Sequence, residues 1–213
     1  FRKMGRASLK GLARALTDDN PPPEASLDTK KRDRKLATAL TCFTRYGYRI
    51  GQKIWQPMTA DITGKHAVLT GANAGLGFST AVSLLEAGAT LTVVVRDPAK
   101  AADMQRAFRA ETGREADHVE LADLSLLAEV SKLCERLHAR GQSIDVLINN
   151  AGALLNDYAQ TEEGIERSAA LLLLSPWKLT ESLLPLLREH THPARVINVV
   201  SGGMYTQKLC CDE

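Results

Sequence analysis

A glycine-rich segment around residue 70 has the residue types and spacing of a phosphate-binding turn. It reads Thr70-Gly71-Ala72-Asn73-Ala74-Gly75-Leu76-Gly77 and stands between a short apolar run and a longer helix-forming stretch. Gly71 can adopt a turn conformation closed to other residues, Gly75 lets a diphosphate approach the backbone, and Gly77 allows a helix to pack closely on a strand. A helix that begins near Gly75 adds free amides and a positive dipole end. The alternative is an ordinary tight connection between a strand and a helix.

A second polar pair, Arg96 and Asp97, follows the next apolar run, 25 and 26 positions after Gly71. In a dinucleotide site this position faces the adenosine ribose. An acid accepts hydrogen bonds from a ribose 2′-hydroxyl, whereas an arginine forms a charge-assisted pair with a 2′-phosphate. Because Arg96 comes first, the sequence favours NADP(H) over NAD(H); NAD(H) is kept as the alternative, since Asp97 can also turn toward the ribose. A solvated ion pair at a strand end is the interpretation without a cofactor.

Strands and helices that alternate after Gly64 would position these residues. The predicted strands are His66 to Thr70, Thr90 to Val95, His118 to Leu121, Ile144 to Ile148 and Arg195 to Val200. The predicted helices are Leu76 to Ala87, Pro98 to Glu111, Leu124 to Arg140 and Gly164 to His190. Such alternation requires right-handed crossovers and a parallel sheet covered on both faces. The sequence therefore predicts a doubly wound α/β domain, a Rossmann fold with five strands, over residues 64–213.

The first 63 residues differ from this domain in charge. Residues 1–65 contain 14 basic and 6 acidic side chains, and the remaining chain contains 13 and 19. Three prolines at 21–23 indicate a linker, and the segments 1–16 and 35–58 on either side have the spacing of basic amphipathic helices. We therefore predict a basic helical extension with a Pro-rich linker. Its second helix either packs on the domain, which we favour, or lies on an anionic membrane surface, and its first is a targeting segment or a surface helix.

Composition limits the classes of function. A hydrophobic content of 44% with 24% charged residues excludes a chain that is disordered throughout. Four cysteines form no CxxC pair and have no histidine partner at metal spacing, so we expect no metal site, no disulfide framework and a reducing, intracellular compartment. The longest uninterrupted apolar block is Ala169 to Leu174, from which no membrane-spanning segment is predicted.

Three motifs in register resemble the short-chain dehydrogenase/reductase superfamily. They are Thr70-Gly71-x-x-x-Gly75-x-Gly77, Asp123-Leu124 and Asn149-Asn150-Ala151-Gly152. Four shorter segments resemble its retinol-dehydrogenase-like branch: Arg96-Asp97, Gly164-Ile165-Glu166, Leu179-Thr180 and Ser201-Gly202-Gly203-Met204. The resemblance covers residues 64–213. It implies an oxidoreductase that moves hydride between NADP(H) and a carbonyl or alcohol substrate of lipophilic character.

The resemblance also implies a role for individual residues in holding the coenzyme. Asn73, Ala74 and Leu76 belong to the turn that meets the diphosphate, together with its glycines. Asp123 is expected to meet the edge of the adenine ring, with Leu124 beside it. The segment Asn150-Ala151-Gly152 is expected to close over the central ribose.

Catalysis in this superfamily uses a Tyr with a Lys four residues later, a Ser and an Asn. Ser201 matches the serine, which hydrogen-bonds the substrate oxygen. Tyr205 is followed by Lys208 at a spacing of three, so we do not expect it to be the acid/base, and the asparagine aligns with Leu172, which has no polar side-chain atom. We therefore expect a fragment that lacks the last two strands and the Tyr-x-x-x-Lys pair and is inactive by itself.

Two other function classes stay open beside the oxidoreductase. One is a catalytically dead relative that binds a dinucleotide or acts as a scaffold, and the other is a membrane-surface protein in which the basic extension acts. For the oxidoreductase we expect a small-molecule substrate and no nucleic-acid partner. Homo-oligomer formation and peripheral membrane contact through the N-terminal helices are left open.

Overall fold

A computed structural model describes residues 44–54, 62–155, 157–189 and 192–201 of the chain. The chain divides into two compact units, one formed by residues 1–58 with 201–213 and the other by residues 59–200. In the first unit, helix α1 covers Arg45–Ile54. This helix lies within the predicted basic helix 35–58; the rest of that helix, the predicted targeting helix and the Pro-rich linker lie outside the described residues.

Helix α1 is basic along one side. It contains Arg45, Arg49 and Lys53 and no acidic residue. Arg49 and Lys53 are four positions apart and therefore lie on the same side of the helix. The side chains of Tyr48 and Ile50 are exposed. Packing of this helix on the domain, which the sequence analysis favours, and the alternative of contact with an anionic membrane surface both stay predictions.

The second unit contains a parallel sheet of five strands. The strands are β1 His66–Thr70, β2 Thr90–Val95, β3 His118–Leu121, β4 Val146–Asn149 and β5 Arg195–Asn198. The helices are α2 Gly75–Glu86, α3 Pro98–Thr112, α4 Leu127–Arg140 and α5 Arg167–Arg188. All pairings are parallel in the order β3-β2-β1-β4-β5. The predicted doubly wound fold is confirmed.

Several element boundaries differ from the sequence prediction. Strand β4 begins at Val146 instead of Ile144, and β5 ends at Asn198 instead of Val200. Helix α4 begins at Leu127 instead of Leu124, because a turn closed by a 3.0 Å bond from Leu126 N to Asp123 O precedes it. Helix α5 begins at Arg167 instead of Gly164, whose φ of +74° places it in a turn.

The core lies on both faces of the sheet, as a doubly wound fold requires. Strand β1 is buried along its whole length and alternates between the faces. Val68 packs in a cluster with side chains of α4 and α5, and Leu69 packs in a second cluster with side chains of α2 and α3. Because successive side chains of a strand point to opposite faces, β1 ties the two clusters together.

Helix α5 has a length and composition that the count of uninterrupted apolar residues did not reveal. Among the described residues, α5 is the helix whose length and apolar composition would allow it to cross a membrane. A count of uninterrupted apolar residues missed it, because isolated polar residues divide the helix. Its leucines Leu179 and Leu183 are nonetheless buried in the core beside α4. A helix that packs on the sheet of a globular domain can have the same length and apolar composition as a helix that crosses a membrane.

A carboxylate ties the strands together at their amino ends. Asp145 Oδ2 accepts a 2.8 Å hydrogen bond from His66 N, and its Oδ1 lies 3.2 Å from Lys65 Nζ and 2.7 Å from His192 Nε2. Arg195 N donates to the Asp145 carbonyl at 2.9 Å. Asp145 therefore connects β1, β4 and β5 at the edge of the sheet opposite the glycine turn.

The buried ring of His66 makes stability depend on pH. Its Nδ1 lies 2.8 Å from Ser143 O and its Nε2 2.8 Å from Thr92 Oγ1. Burial lowers the pKa of His66 below its ordinary value of 6.5, although the contact with the Ser143 carbonyl works in the other direction. The unfolded ring therefore takes up a proton that the folded ring resists. We expect the free energy of unfolding to fall as the pH drops below about 6.5.

Urea denaturation at pH 7.5 and 5.5 measures this dependence. In His66→Gln the loss of stability between the two pH values should be smaller than in the unchanged chain, because the group responsible is gone. His138 lies at an exposed position of α4 and provides the matched control His138→Gln. An equal pH dependence in the His66 variant and the unchanged chain would contradict the assignment.

Candidate functional site

The glycine turn follows β1 at the carboxyl edge of the sheet. Gly71 has a φ of +72° and its N donates to Val94 O at 2.9 Å. Gly75, with a φ of +59°, is the first residue of α2. Ala74 is the N-cap residue of α2, and no side chain caps the first amides there. The start of this helix therefore offers backbone donors of the kind that bind phosphate.

Two of the glycines leave no room for a side chain. A Cβ at Gly77 would lie 2.1 Å from Gly71 O and 2.5 Å from Asn150 Nδ2. A Cβ at Gly71 would lie 2.8 Å from Ala151 Cα. The turn after β1, the start of α2 and the segment after β4 thus meet at backbone contact distance.

Thr70 and Asn150 join this turn to the end of β4. Thr70 Oγ1 accepts hydrogen bonds from Asn150 N at 3.0 Å and Ala151 N at 2.9 Å. Asn150 Nδ2 donates to Thr70 O at 2.9 Å and to Gly71 O at 3.2 Å. The amide of Asn150 therefore holds the turn. The sequence analysis did not assign this role to Thr70. The signal that could have indicated it is the position of Thr70 as the first residue of the turn.

Asp123 lies after β3 with its carboxylate held by three donors. Ser125 N and Ser125 Oγ donate to Oδ1 at 2.9 and 2.7 Å, and Arg96 Nη1 lies 3.5 Å from Oδ2. Burial by itself would raise the pKa of Asp123, but the hydrogen bonds from Ser125 and then the charge of Arg96 outweigh it, so the pKa is lowered. Asp123 is thus a fixed negative charge beside Arg96 at neutral pH. Leu124 is buried in the core with Val130.

Arg96 and Asp97 are engaged differently. Asp97 is the N-cap residue of α3, and its Oδ1 accepts hydrogen bonds from Ala99 N at 2.8 Å and Lys100 N at 3.3 Å. The side chain of Arg96 is 62% exposed and has the long ion pair with Asp123. Arg96 is thus the member of the pair whose charge is open to a ligand.

The remaining residues predicted for the coenzyme lie along the same edge. Asn73, Ala74 and Leu76 are exposed in and after the turn. Ala151 is half-buried beside Gly71, and Gly152 is exposed. The chain thus brings all the predicted coenzyme residues to the carboxyl ends of β1 to β4.

Leu172 lies against Gly152. A Cβ at Gly152 would be 3.4 Å from Leu172 Cδ2, and Leu172 belongs to a π-helical segment, Ala170–Leu174, within α5. Single π-helical turns inside α-helices are frequent at functional sites. An apolar side chain therefore stands beside the segment that is predicted to close over the ribose.

Ser201, the predicted catalytic residue, lies shortly after the end of β5. Ser201 follows β5 by three positions and is exposed. Tyr205 and Lys208 lie outside the described residues. In the described parts of the chain no group of three His, Cys, Asp or Glu side chains is placed to hold a metal ion.

Comparison with known proteins gives a family and relatives. The sequence model of the short chain dehydrogenase family matches residues 65–208. Dehydrogenase/reductase SDR family member 12 from Bos taurus is 35% identical over 179 residues, which are 83% of this chain and 56% of that protein. Retinol dehydrogenase 12 from Mus musculus is 36% identical over 140 residues, which are 66% of this chain and 44% of that protein. The chain thus spans about half the length of the curated relatives it matches.

A solved structure shares both fold and sequence with the chain. It is the NADP active-site complex of RhlG from Pseudomonas aeruginosa, which is 34% identical, with a TM-score of 0.52 over 65% of this chain and 55% of that one. These findings bear out the resemblance to the retinol-dehydrogenase-like branch that the sequence motifs carry.

Proposed function

Because the chain belongs to the short-chain dehydrogenase family, we propose that it binds NADP(H) and forms the coenzyme-binding part of an oxidoreductase. The observation that carries the proposal is the junction between β1 and β4. There the Thr70 hydroxyl and the Asn150 amide hold an uncapped helix start at the carboxyl edge of the sheet. Open α/β sheets bind nucleotides at this edge. The binding site lies beside the first strand, where the connection on one side crosses one face of the sheet and the connection on the other side crosses the opposite face.

The residues at this edge fit a dinucleotide in size and charge. The uncapped amides at the start of α2 suit a diphosphate, and the missing side chain at Gly75, where a Cβ would meet nothing within 4 Å, leaves the backbone open to it. The exposed backbone at Gly152 suits a ribose, and the carboxylate of Asp123 suits the amino edge of adenine. We assign these residues to the coenzyme on that basis.

The preference for NADP(H) rests on Arg96. Asp97 already accepts two backbone hydrogen bonds at the start of α3, so turning toward a ribose would cost the helix its cap. Arg96 is exposed and meets Asp123 only through a 3.5 Å contact. A 2′-phosphate offers the guanidinium a stronger, charge-assisted partner.

Titration of the chain with NADPH and NADH, followed by the fluorescence of the bound coenzyme, tests the proposal. We expect NADPH to bind more tightly by about tenfold, the factor for 1.4 kcal/mol. In Arg96→Asp the order should reverse, because the variant repels a 2′-phosphate and accepts hydrogen bonds from a 2′-hydroxyl. The matched control is Arg106→Asp, which changes an exposed arginine of α3 that pairs with Asp103. Equal affinities for both coenzymes, before and after the Arg96 change, would contradict the preference.

The proposed reaction follows from the coenzyme. NADP(H) exchanges a hydride between its nicotinamide and the carbon of an alcohol or carbonyl group. We propose a lipophilic small-molecule substrate, supported by the exposed apolar side chains of Leu154, Tyr158 and Leu172 in the segments after β4. Ser201 remains the proposed donor to the substrate oxygen.

A relative that binds the coenzyme without catalysis is the second candidate. The observation in its favour is Leu172, which has no polar atom at the position where the resemblance implies an asparagine and lies beside Gly152. Both candidates require coenzyme binding. The titration above therefore tests what they share, and carbonyl-dependent oxidation of NADPH by this chain would rule out the second candidate.

A further inference from the structure

Helix α4 begins without a capping side chain of its own. Its N-cap residue is Leu126, which has extended backbone angles and no side-chain oxygen. The first amides are instead capped from a distant part of the chain. Leu127 N donates to Glu163 Oε2 and Ala128 N donates to Glu163 Oε1, each at 2.7 Å. Both carboxylate oxygens of Glu163 are therefore used on one helix end.

A short turn presents Glu163 to that helix end. Thr161 N donates to Ile165 O at 2.8 Å, Gly164 N donates to Thr161 O at 2.9 Å, and Gly164 has a φ of +74°. Arg167 N, after the turn, donates to Ala159 O, before it, at 2.9 Å. The turn is thus closed by its own backbone, and the placement of Glu163 does not depend on a flexible loop tip.

The same turn is fixed to the start of α5. Glu166 accepts hydrogen bonds from Ser168 N at 2.9 Å and Ala169 N at 2.6 Å, which lower the pKa of its carboxyl. Glu166 caps its own helix and Glu163 caps another. The turn therefore couples the starts of α4 and α5.

The two coupled segments carry different parts of the proposed coenzyme site. The start of α4 continues directly from Asp123, whose carbonyl accepts a bond from Leu126 N at 3.0 Å. The turn lies at the end of the segment that leaves β4 through Asn150 and Gly152. Strands β3 and β4 are not neighbours, because β2 and β1 lie between them. No direct strand pairing therefore joins these two segments, whereas Glu163 bonds the turn directly to the start of α4.

We infer that Glu163 is a positioning residue for the dinucleotide: it fixes the adenine-side segment at Asp123 relative to the ribose-side segment at Gly152. This inference rests on the proposed function, because it assigns the two segments to one ligand. Glu163 itself is not assigned a contact with the coenzyme. Its carboxylate acts through the two amides that it holds.

Removal of the link should weaken coenzyme binding. In Glu163→Ala we expect the Kd for NADPH to rise by about tenfold. Amide hydrogen exchange, measured without coenzyme, should become faster both at the start of α4 and in residues 151–155. Glu163→Gln keeps one acceptor oxygen, so its Kd for NADPH should lie between those of the unchanged chain and Glu163→Ala. Glu162→Ala removes the neighbouring exposed carboxylate and should leave the Kd unchanged.

A second variant separates positioning from simple helix capping. Serine at an N-cap position accepts a hydrogen bond from an amide of the first turn, so Leu126→Ser gives α4 a cap of its own. In the double variant Leu126→Ser/Glu163→Ala we expect the urea midpoint to return toward that of the unchanged chain while the Kd for NADPH stays raised. The single variant Leu126→Ser should bind NADPH like the unchanged chain.

The outcomes distinguish this inference from the proposed function. If the double variant recovers both stability and affinity, Glu163 is only a cap and the inference is overturned. If Glu163→Ala binds NADPH as tightly as the unchanged chain, the inference fails while the proposed function stands. If the unchanged chain binds neither NADPH nor NADH, the proposed function fails and the inference falls with it.

Discussion

Alanine at position 71 should weaken NADPH binding by roughly a hundredfold or more, which corresponds to about 2.7 kcal/mol. Gly71 combines a φ of +72° with close contact, since a Cβ there would lie 2.8 Å from Ala151 Cα and 3.2 Å from Ala151 N. Both contacts are with backbone, which cannot turn aside as a side chain can. The segment from Asn150 to Gly152 must therefore move away from the turn, and the bonds from Asn150 to Thr70 lengthen.

Gly113 provides a matched control for this change. It has nearly the same φ, +71°, at the end of α3, but a Cβ there would meet nothing within 4 Å. An L-residue in the left-handed region costs roughly 1–2 kcal/mol, and both variants carry that cost. The difference between Gly71→Ala and Gly113→Ala in NADPH affinity and in the free energy of unfolding thus isolates the contact with Ala151. Equal losses in both variants would show that the contact is unimportant.

Valine at position 70 should lower the free energy of unfolding for each half-buried donor that loses its partner, with the roughly 1–3 kcal/mol of a fully buried donor as the upper limit. The valine side chain has nearly the shape of threonine but no hydroxyl. Asn150 N and Ala151 N, which both donate to Thr70 Oγ1, would lose their acceptor together. Coenzyme affinity should fall as well, because these amides belong to the segment that is proposed to meet the ribose.

Thr70→Ser is the control for the hydroxyl. Serine keeps the acceptor and loses a methyl group, so we expect stability and NADPH affinity closer to those of the unchanged chain. Urea denaturation and coenzyme titration of the two variants measure both effects. If serine were as damaging as valine, packing of the methyl group and not the hydrogen bonds would explain the role of Thr70.

Much of the fold could be predicted from the sequence because the apolar runs of the central strands have clear limits. Strands β1, β2 and β3 begin and end where the sequence indicated. The predicted and observed boundaries differ where backbone hydrogen bonds to other parts of the chain determine the end of an element. Ile144 N donates to Leu186 O and Asp145 N donates to His66 O, so the two residues before β4 are bonded to the chain without belonging to the strand. No apolar pattern contains that information.

The site was predictable to the extent that it depends on glycine spacing. Gly71, Gly75 and Gly77 follow from what a turn and a close helix contact demand, and the capping role of Asp97 could have been read from the proline that follows it. The roles of Thr70 and Glu163 could not be read in this way. Their partners lie 80 and 36 positions away, and only the folded chain shows which amides they meet.

The carboxylate network of Asp145 has a consequence for how this domain can change over time. Through its carboxylate and its main-chain carbonyl, Asp145 connects three strands at the amino edge of the sheet, whereas the residues assigned to the coenzyme lie at the carboxyl edge. Exposed side chains at the carboxyl edge, such as Leu76, can therefore change without disturbing the bonds of Asp145. Gly71 and Thr70 at the same edge do not have this freedom, because they hold the turn against the end of β4.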